Sequence, residues 1–131
     1  GQGLIDIERK DDKVIITVGS GGAFKSGSAD LTSKAKKIMA KIAEVNEKGR
    51  SEILVSGHTD NKPLTFGSIY RDNWDLAAAR SSSVVQELAS SGKLKPDRMK
   101  AISYGETQPV ASNKDIKGRE KNRRIEIEIN Y

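Results

Sequence analysis

An acid and an arginine carry most of the chemistry this sequence could do. Asp60 lies just beyond the apolar run Ile53-Leu54-Val55, in "ILVSGHTDNKPL", two residues after His58, the one histidine of the chain. Arg80 stands among small residues: Ala77, Ala78, Ala79, Ser81, Ser82 and Ser83. Small neighbours let other backbone approach closely and leave a guanidinium unobstructed, so it can offer its planar fork to a carboxylate. A surface arginine paired with Asp75 or Glu87 is the other reading of the same residue. Asp60 favours the first. A fixed acid at a strand end and a fixed arginine on the next helix make a clamp for a zwitterion: the acid takes an ammonium, the arginine a carboxylate. Amino acids, dibasic or diacidic ones above all, carry both groups.

Other chemistries fit less well. A zinc site needs three or four ligands, usually His or Cys, and this chain has one His and no Cys. A calcium loop needs acids at alternate positions and a closing Glu, which "DNKPLTFGSIYRD" lacks. Among the many serines only His58 could serve as a base, and no Gly-x-Ser-x-Gly elbow occurs. No second acid stands out beside Asp60 to make the carboxylate pair of a glycosidase. The reading therefore expects no metal, no cofactor and no catalytic residue, with His58 a strand-end histidine hydrogen-bonded locally. Lys and Arg total 23 against 18 Asp and Glu, a net charge of +5 concentrated in residues 92–131. A basic C-terminal third suits either an anionic partner or an ordinary solvated surface. Nucleic acid is not expected. The basic run "GREKNRR", 118–124, is not interleaved with the aromatics Phe24, Phe66, Tyr70, Trp74, Tyr104 and Tyr131, which stacking on bases would need.

Periodicity supplies the scaffold for these residues. "LIDIE" and "VIITV" alternate about the polar "RKDDK" and predict a hairpin. Residues 31–48 place Leu31, Ala35, Ile38, Ile42 and Val45 at helical spacing, and Gly49 ends the run. A short strand spans 52–57. A second helix spans 74–90, with Asp72 or Asn73 as its N-terminal acceptor. "KAISY", 100–104, is a strand. "RIEIEIN", 124–130, alternates Ile125, Ile127 and Ile129 with Glu126, Glu128 and Asn130, a half-buried strand. The expected fold is α+β: a mixed sheet in the order β-β-α-β-α-β-β, with two main helices on one face. The strand ending at Gly57 should lie adjacent to the C-terminal strand or next but one. The 131 residues suit one domain, 1–131, with 1–22 a leading hairpin or linker. The long loops, 19–30, 58–73 and 105–123, are where functional residues are expected. The absence of cysteine fits an oxidising compartment. No apolar run approaches the length of a membrane span, and no leader is visible. The start at Gly-Gln-Gly reads as a processed form or an excised domain whose targeting has been cut away.

Four motifs in order, "GHTDNKPL", "RDNWDLAAAR", "SYGETQP" and "GREKNRR" before "IEIEI", resemble the OmpA-like peptidoglycan-binding domain from about Phe24 to Ile129. Within that family "GHTDNKP", the long loop after it and "RDNWDL" look most like the flagellar stator B subunit of the MotB/PomB type. The resemblance implies a noncatalytic periplasmic domain that grips the peptide stem of peptidoglycan at its meso-diaminopimelate. By motif position Asp60 would engage the ligand and Arg80 would take a carboxylate. Thr59, Asn73 and Leu76 would surround the pocket, and Asn122 and Arg123 would line it from the last loop. The resemblance also implies a homodimer and a stator A-type membrane subunit, reached through an N-terminal membrane segment absent from this sequence. An outer-membrane tether of the OmpA/Pal type and a hydrolase acting on peptidoglycan are the alternatives. Three positions depart from the pattern: Ala77 for the usual Ser, Lys25 for the Asp that often follows Phe24, and Ser103 for a common Gly.

Overall fold

The computed structural model describes residues 5–131. Leu4, which the alternation assigns to the first strand, lies outside the described residues with the rest of 1–4. Strands β1 (Ile5–Lys10) and β2 (Lys13–Gly19) form the expected hairpin. The strands run further into "RKDDK" than the alternation suggests, leaving only Asp11 and Asp12 to turn, with Asp11 at φ 48. A helical turn α1 (Ser20–Ala23) precedes helix α2 (Ser33–Asn46), which Thr32 caps by accepting from the Ala35 amide. Then come β3 (Glu52–His58), α3 (Asn73–Ala89), β4 (Met99–Gly105), α4 (Ile116–Asn122) and β5 (Arg124–Asn130). Asp72, one of the two candidates, is the cap of α3, accepting from the Asp75 amide at 3.0 Å. α1 and α4 fall in segments read from the sequence as loop, because each is too short to show a 3.6-residue period.

The strands order as β1-β2-β5-β3-β4. The β3–β4 pair is parallel and the other three are antiparallel, so β3 lies directly beside β5. Cross-strand register explains why one face is buried. Val14, Ile129, Ile53 and Met99 form one row, and Ile16, Ile127, Val55 and Ala101 the next. Except for Ala101, which is exposed, these join Phe24, Met39, Val84, Leu88 and Leu94 in one core beneath the helices. Each such side chain contributes about 1.5–3 kcal/mol on leaving water. The third row is Val18, Ile125, Gly57 and Ser103, and its side chains dwindle toward β4. There α3 comes closest: a Cβ on Gly57 would lie 2.3 Å from the Ala77 carbonyl oxygen. Ser103 Oγ donates to the Trp74 carbonyl at 2.9 Å. Contact with the sheet thus explains Ala77, whereas Ala78 is exposed.

Register also gathers the loops. Gly19, Arg124, His58 and Gly105 are cross-strand partners at one end of the sheet. The connections following β2, β3 and β4 all leave from that end, as the sequence reading requires of a site built from three loops.

Candidate functional site

Asp60 sits two residues past β3 with its side chain 10% exposed. The Thr59 amide donates to the Gly105 carbonyl at 2.8 Å, which ties the chain to the end of β4. Asp60 Oδ1 accepts from the Lys62 amide at 3.0 Å, and Oδ2 accepts from Arg123 Nη1 at 2.6 Å. One carboxylate oxygen therefore shapes the loop and the other meets a guanidinium. A carboxylate offers about four acceptor positions, so these two bonds leave room for a further donor.

Arg80 lies on the face of α3 that carries Asn73 and Leu76, at spacings of seven and four residues. It is 7% exposed, and its guanidinium carbon lies 4.9 Å above the Phe24 ring. Nε donates to the Ser28 carbonyl at 2.8 Å. No carboxylate among the described residues pairs with it: Asp75 is taken by Arg71, 2.7 Å away, and Glu87 forms no ion pair. The surface-pair reading of Arg80 is thereby set aside. Burial lowers its pKa, the nearby Arg123 charge lowers it further, and Tyr70 opposes the shift. The guanidinium is thus a largely desolvated cation without an anion, the condition in which an arriving carboxylate gains most. Arg123 lies between the two, touching Asp60 on one side and reaching Arg80 with its charge on the other.

The remaining expected residues divide. Leu76 is buried on α3 one turn before Arg80. Thr59 Oγ1 donates to the Asp60 carbonyl at 2.7 Å. Asn73 Nδ2 lies 3.0 Å from the Lys62 carbonyl, 3.3 Å from that of Asp60 and 3.2 Å from Glu106 Oε1. Asn73 therefore fastens the loop that presents Asp60. Asn122 requires a correction. It is fully buried; Oδ1 accepts from the Val110 and Ala111 amides, and Nδ2 donates to the Ala111 carbonyl and Asn113 Oδ1. Its side chain latches the 110–113 loop and has no donor left for a ligand; of the pair, it is Arg123 that reaches Asp60. Lys25 turns away: its amide donates to the Asp30 carbonyl, and it lines a separate groove with Ser83, Gln86 and Glu87.

Two contacts were invisible in the sequence. The Ser28 carbonyl that orients Arg80 is backbone, and no residue type announces it. The stacking of Arg80 on Phe24 joins residues far apart in the chain. His58 is the locally bonded histidine that was expected, with Nε2 3.0 Å from Ser56 Oγ and its ring stacked on Tyr104. Burial, helped by the Arg124 charge and opposed by Glu126, lowers its pKa to about 4. Among the described residues no cluster of three metal-ligating side chains occurs, and no helix is long and apolar enough to cross a membrane.

Comparison with known proteins bears on the family and the fold. The model of the OmpA family matches residues 23–123. Motility protein B of Bacillus subtilis (strain 168) is 34% identical over 127 residues, 95% of this chain and 48% of that protein. The cell wall anchor of the T6SS from Pseudomonas aeruginosa superposes with a TM-score of 0.86 at 31% identity, covering 96% of this chain and 87% of that one. A periplasmic domain of Helicobacter pylori MotB gives a TM-score of 0.86 at 30% identity, covering 99% of this chain and 80% of that one. The chain spans about half the length of the curated relatives it matches.

Proposed function

The chain belongs to the OmpA family, and we propose that it is a noncatalytic module that binds peptidoglycan through the diaminopimelate of the stem peptide. The observation that carries this reading is Arg80: a buried guanidinium without an acid, on the same end of the sheet as the nearly buried Asp60 carboxylate. A ligand bearing an ammonium and a carboxylate on one carbon complements both, and the free end of a diamino acid in a peptide has that pattern. In this reading Arg80 holds the carboxylate by two parallel bonds and Asp60 accepts from the ammonium. Arg123 neutralises part of the Asp60 charge and faces the ligand's anionic side, while Thr59, Asn73, Leu76 and Asn122 hold these groups in place.

The likeness to motility protein B and to MotB periplasmic domains supports a place in a flagellar motor stator. There the module would lie in the periplasm, as part of an inner-membrane protein that works as a homodimer beside a stator A-type subunit. The T6SS cell wall anchor is as similar in structure, so anchorage of a different envelope machine is the second reading. An outer-membrane tether is a third place for the same binding chemistry. The experiment is co-sedimentation with purified sacculi in the presence of competing meso-diaminopimelate. Binding that the free amino acid reverses, without release of soluble wall fragments, is the expected result. Binding indifferent to the amino acid would sink the ligand assignment, and fragment release would make the protein a hydrolase.

A further inference from the structure

The adjacent arginines at the start of β5 differ in their partners. Arg123 pairs with Asp60. Arg124, the next residue, is 4% exposed, and strand alternation places it with Glu126 on the sheet face that carries no helix core. There it closes one end of a groove of about 1010 Å³ lined by Ile15, Thr17, Val110 and Lys121. Each of its three guanidinium nitrogens makes a bond. Nε donates to Glu126 Oε2 at 2.7 Å, Nη1 to the Asn122 carbonyl at 3.1 Å and Nη2 to the Gln108 carbonyl at 3.0 Å. These acceptors belong to three segments: β5, the end of α4 and the loop after β4.

We propose that Arg124 is a positioning residue of the binding site and acts through Arg123; this rests on the proposed diaminopimelate site. The Asn122 carbonyl belongs to the peptide unit whose nitrogen is that of Arg123, so holding it sets the direction from which Arg123 reaches Asp60. The Gln108 carbonyl fixes the near end of the same loop. The Asn122 side chain closes the loop from inside through Val110 and Ala111. Glu126 supplies the counter-charge that lets a guanidinium stay buried under the loop. A lysine at 124 keeps the charge but has no planar fork to reach three acceptors in fixed directions.

The test is a double-mutant cycle on the whole chain, with meso-diaminopimelate as the probe in calorimetric titration. Arg124→Lys is expected to weaken binding at least about fivefold when Arg123 is present, and less than about twofold beside Arg123→Ala. Equal losses in both backgrounds, or no loss in the first, overturn the proposal. A second readout needs no ligand. Exchange of the Val110 and Ala111 amide hydrogens should speed up at least about tenfold in Arg124→Lys while the β2 amides keep their protection. Unchanged exchange also overturns the proposal. If the wild-type chain fails to bind meso-diaminopimelate, the ligand assignment falls, and amide exchange alone decides whether Arg124 holds the loop. Should Arg124→Lys fail to fold, Arg124→Gln, whose shorter side chain loses both carbonyl bonds while keeping a polar amide beside Glu126, replaces it with the same readouts and the same refuting outcomes.

Discussion

Arg80→Lys separates a clamp from a mere positive charge. The wild-type guanidinium is held by one internal bond, from Nε to the Ser28 carbonyl at 2.8 Å, and by the Phe24 ring. Both terminal nitrogens are left for the ligand. A lysine ammonium keeps the charge but offers one point of contact where the fork offered two parallel bonds. Losing one hydrogen bond to a charged group costs about 1.5–3 kcal/mol, which is roughly a 10- to 150-fold loss of affinity. The same change removes the Ser28 bond and weakens the ring contact, for about 1 kcal/mol of stability. The fold should survive with a slightly lower melting temperature. The tie to Ser28 is the reason a small cost in stability is expected. The assay is titration with meso-diaminopimelate alongside sacculus co-sedimentation, with thermal unfolding as the control. If Lys at 80 binds as tightly as Arg, the two-bond grip is wrong, and Arg80 is a general cation or a structural residue.

Three further outcomes are expected. Asn122→Ala removes four hydrogen bonds and strands the Val110 and Ala111 amides; it should destabilise the fold by about 2–4 kcal/mol in urea unfolding, more than Arg123→Ala does. Diaminopimelate whose clamped carboxylate is converted to a carboxamide should bind at least about 30-fold more weakly than the free acid, because the amide turns an N–H donor toward guanidinium donors and leaves the buried charge unneutralised. A titration showing equal affinities would refute this. His58 has a folded pKa of about 4 against 6.5 for the free side chain. The unfolded chain therefore binds the extra proton between those values, and the stability due to neutral His58 is full above pH 6.5 and lost as pH falls toward 4. The loss is at most roughly 3 kcal/mol. It should appear as a falling gap between wild type and His58→Gln when urea midpoints are compared across that range, and a constant gap would refute it.

Most of the fold was legible because its signals are local. "RIEIEIN" could bury one face only as a strand, and it forms β5 at the expected bounds; the run from Leu31 to Val45 forms a helix two residues shorter at each end than expected, with Leu31 ahead of it and Val45 exposed while Ala43 and Asn46 are buried. The pairing of β3 with β5 was legible only as one of two possibilities, since nothing in "EILVSGH" names its neighbour. The short helix α4 was missed for a physical reason. Seven residues make two turns, and its capping Asp115, which accepts from the Gly118 amide at 2.7 Å, looks like any loop aspartate. In the site, charge was legible and saturation was not. Asp60 and Arg80 could be selected as isolated opposite charges. Asn122, read as a lining residue, proved to be a latch, because whether an amide is free or consumed depends on loop backbone that residue types do not encode.

The same distinction explains how the site's charges stay available. A buried arginine and a nearly buried aspartate on neighbouring elements would gain by collapsing onto each other, and a pair so closed would exclude a ligand. Here Arg123 partners Asp60, while Arg80 is held back by a backbone carbonyl and an aromatic ring, neither of which neutralises it. Gly57 and Ala77 set how far α3 can settle on the sheet, and so fix the depth at which Arg80 lies. Substituting Gly57 by Ala would push that helix outward through backbone that cannot yield. Such a change would therefore act on the binding site as much as on the core, although residue 57 faces no ligand.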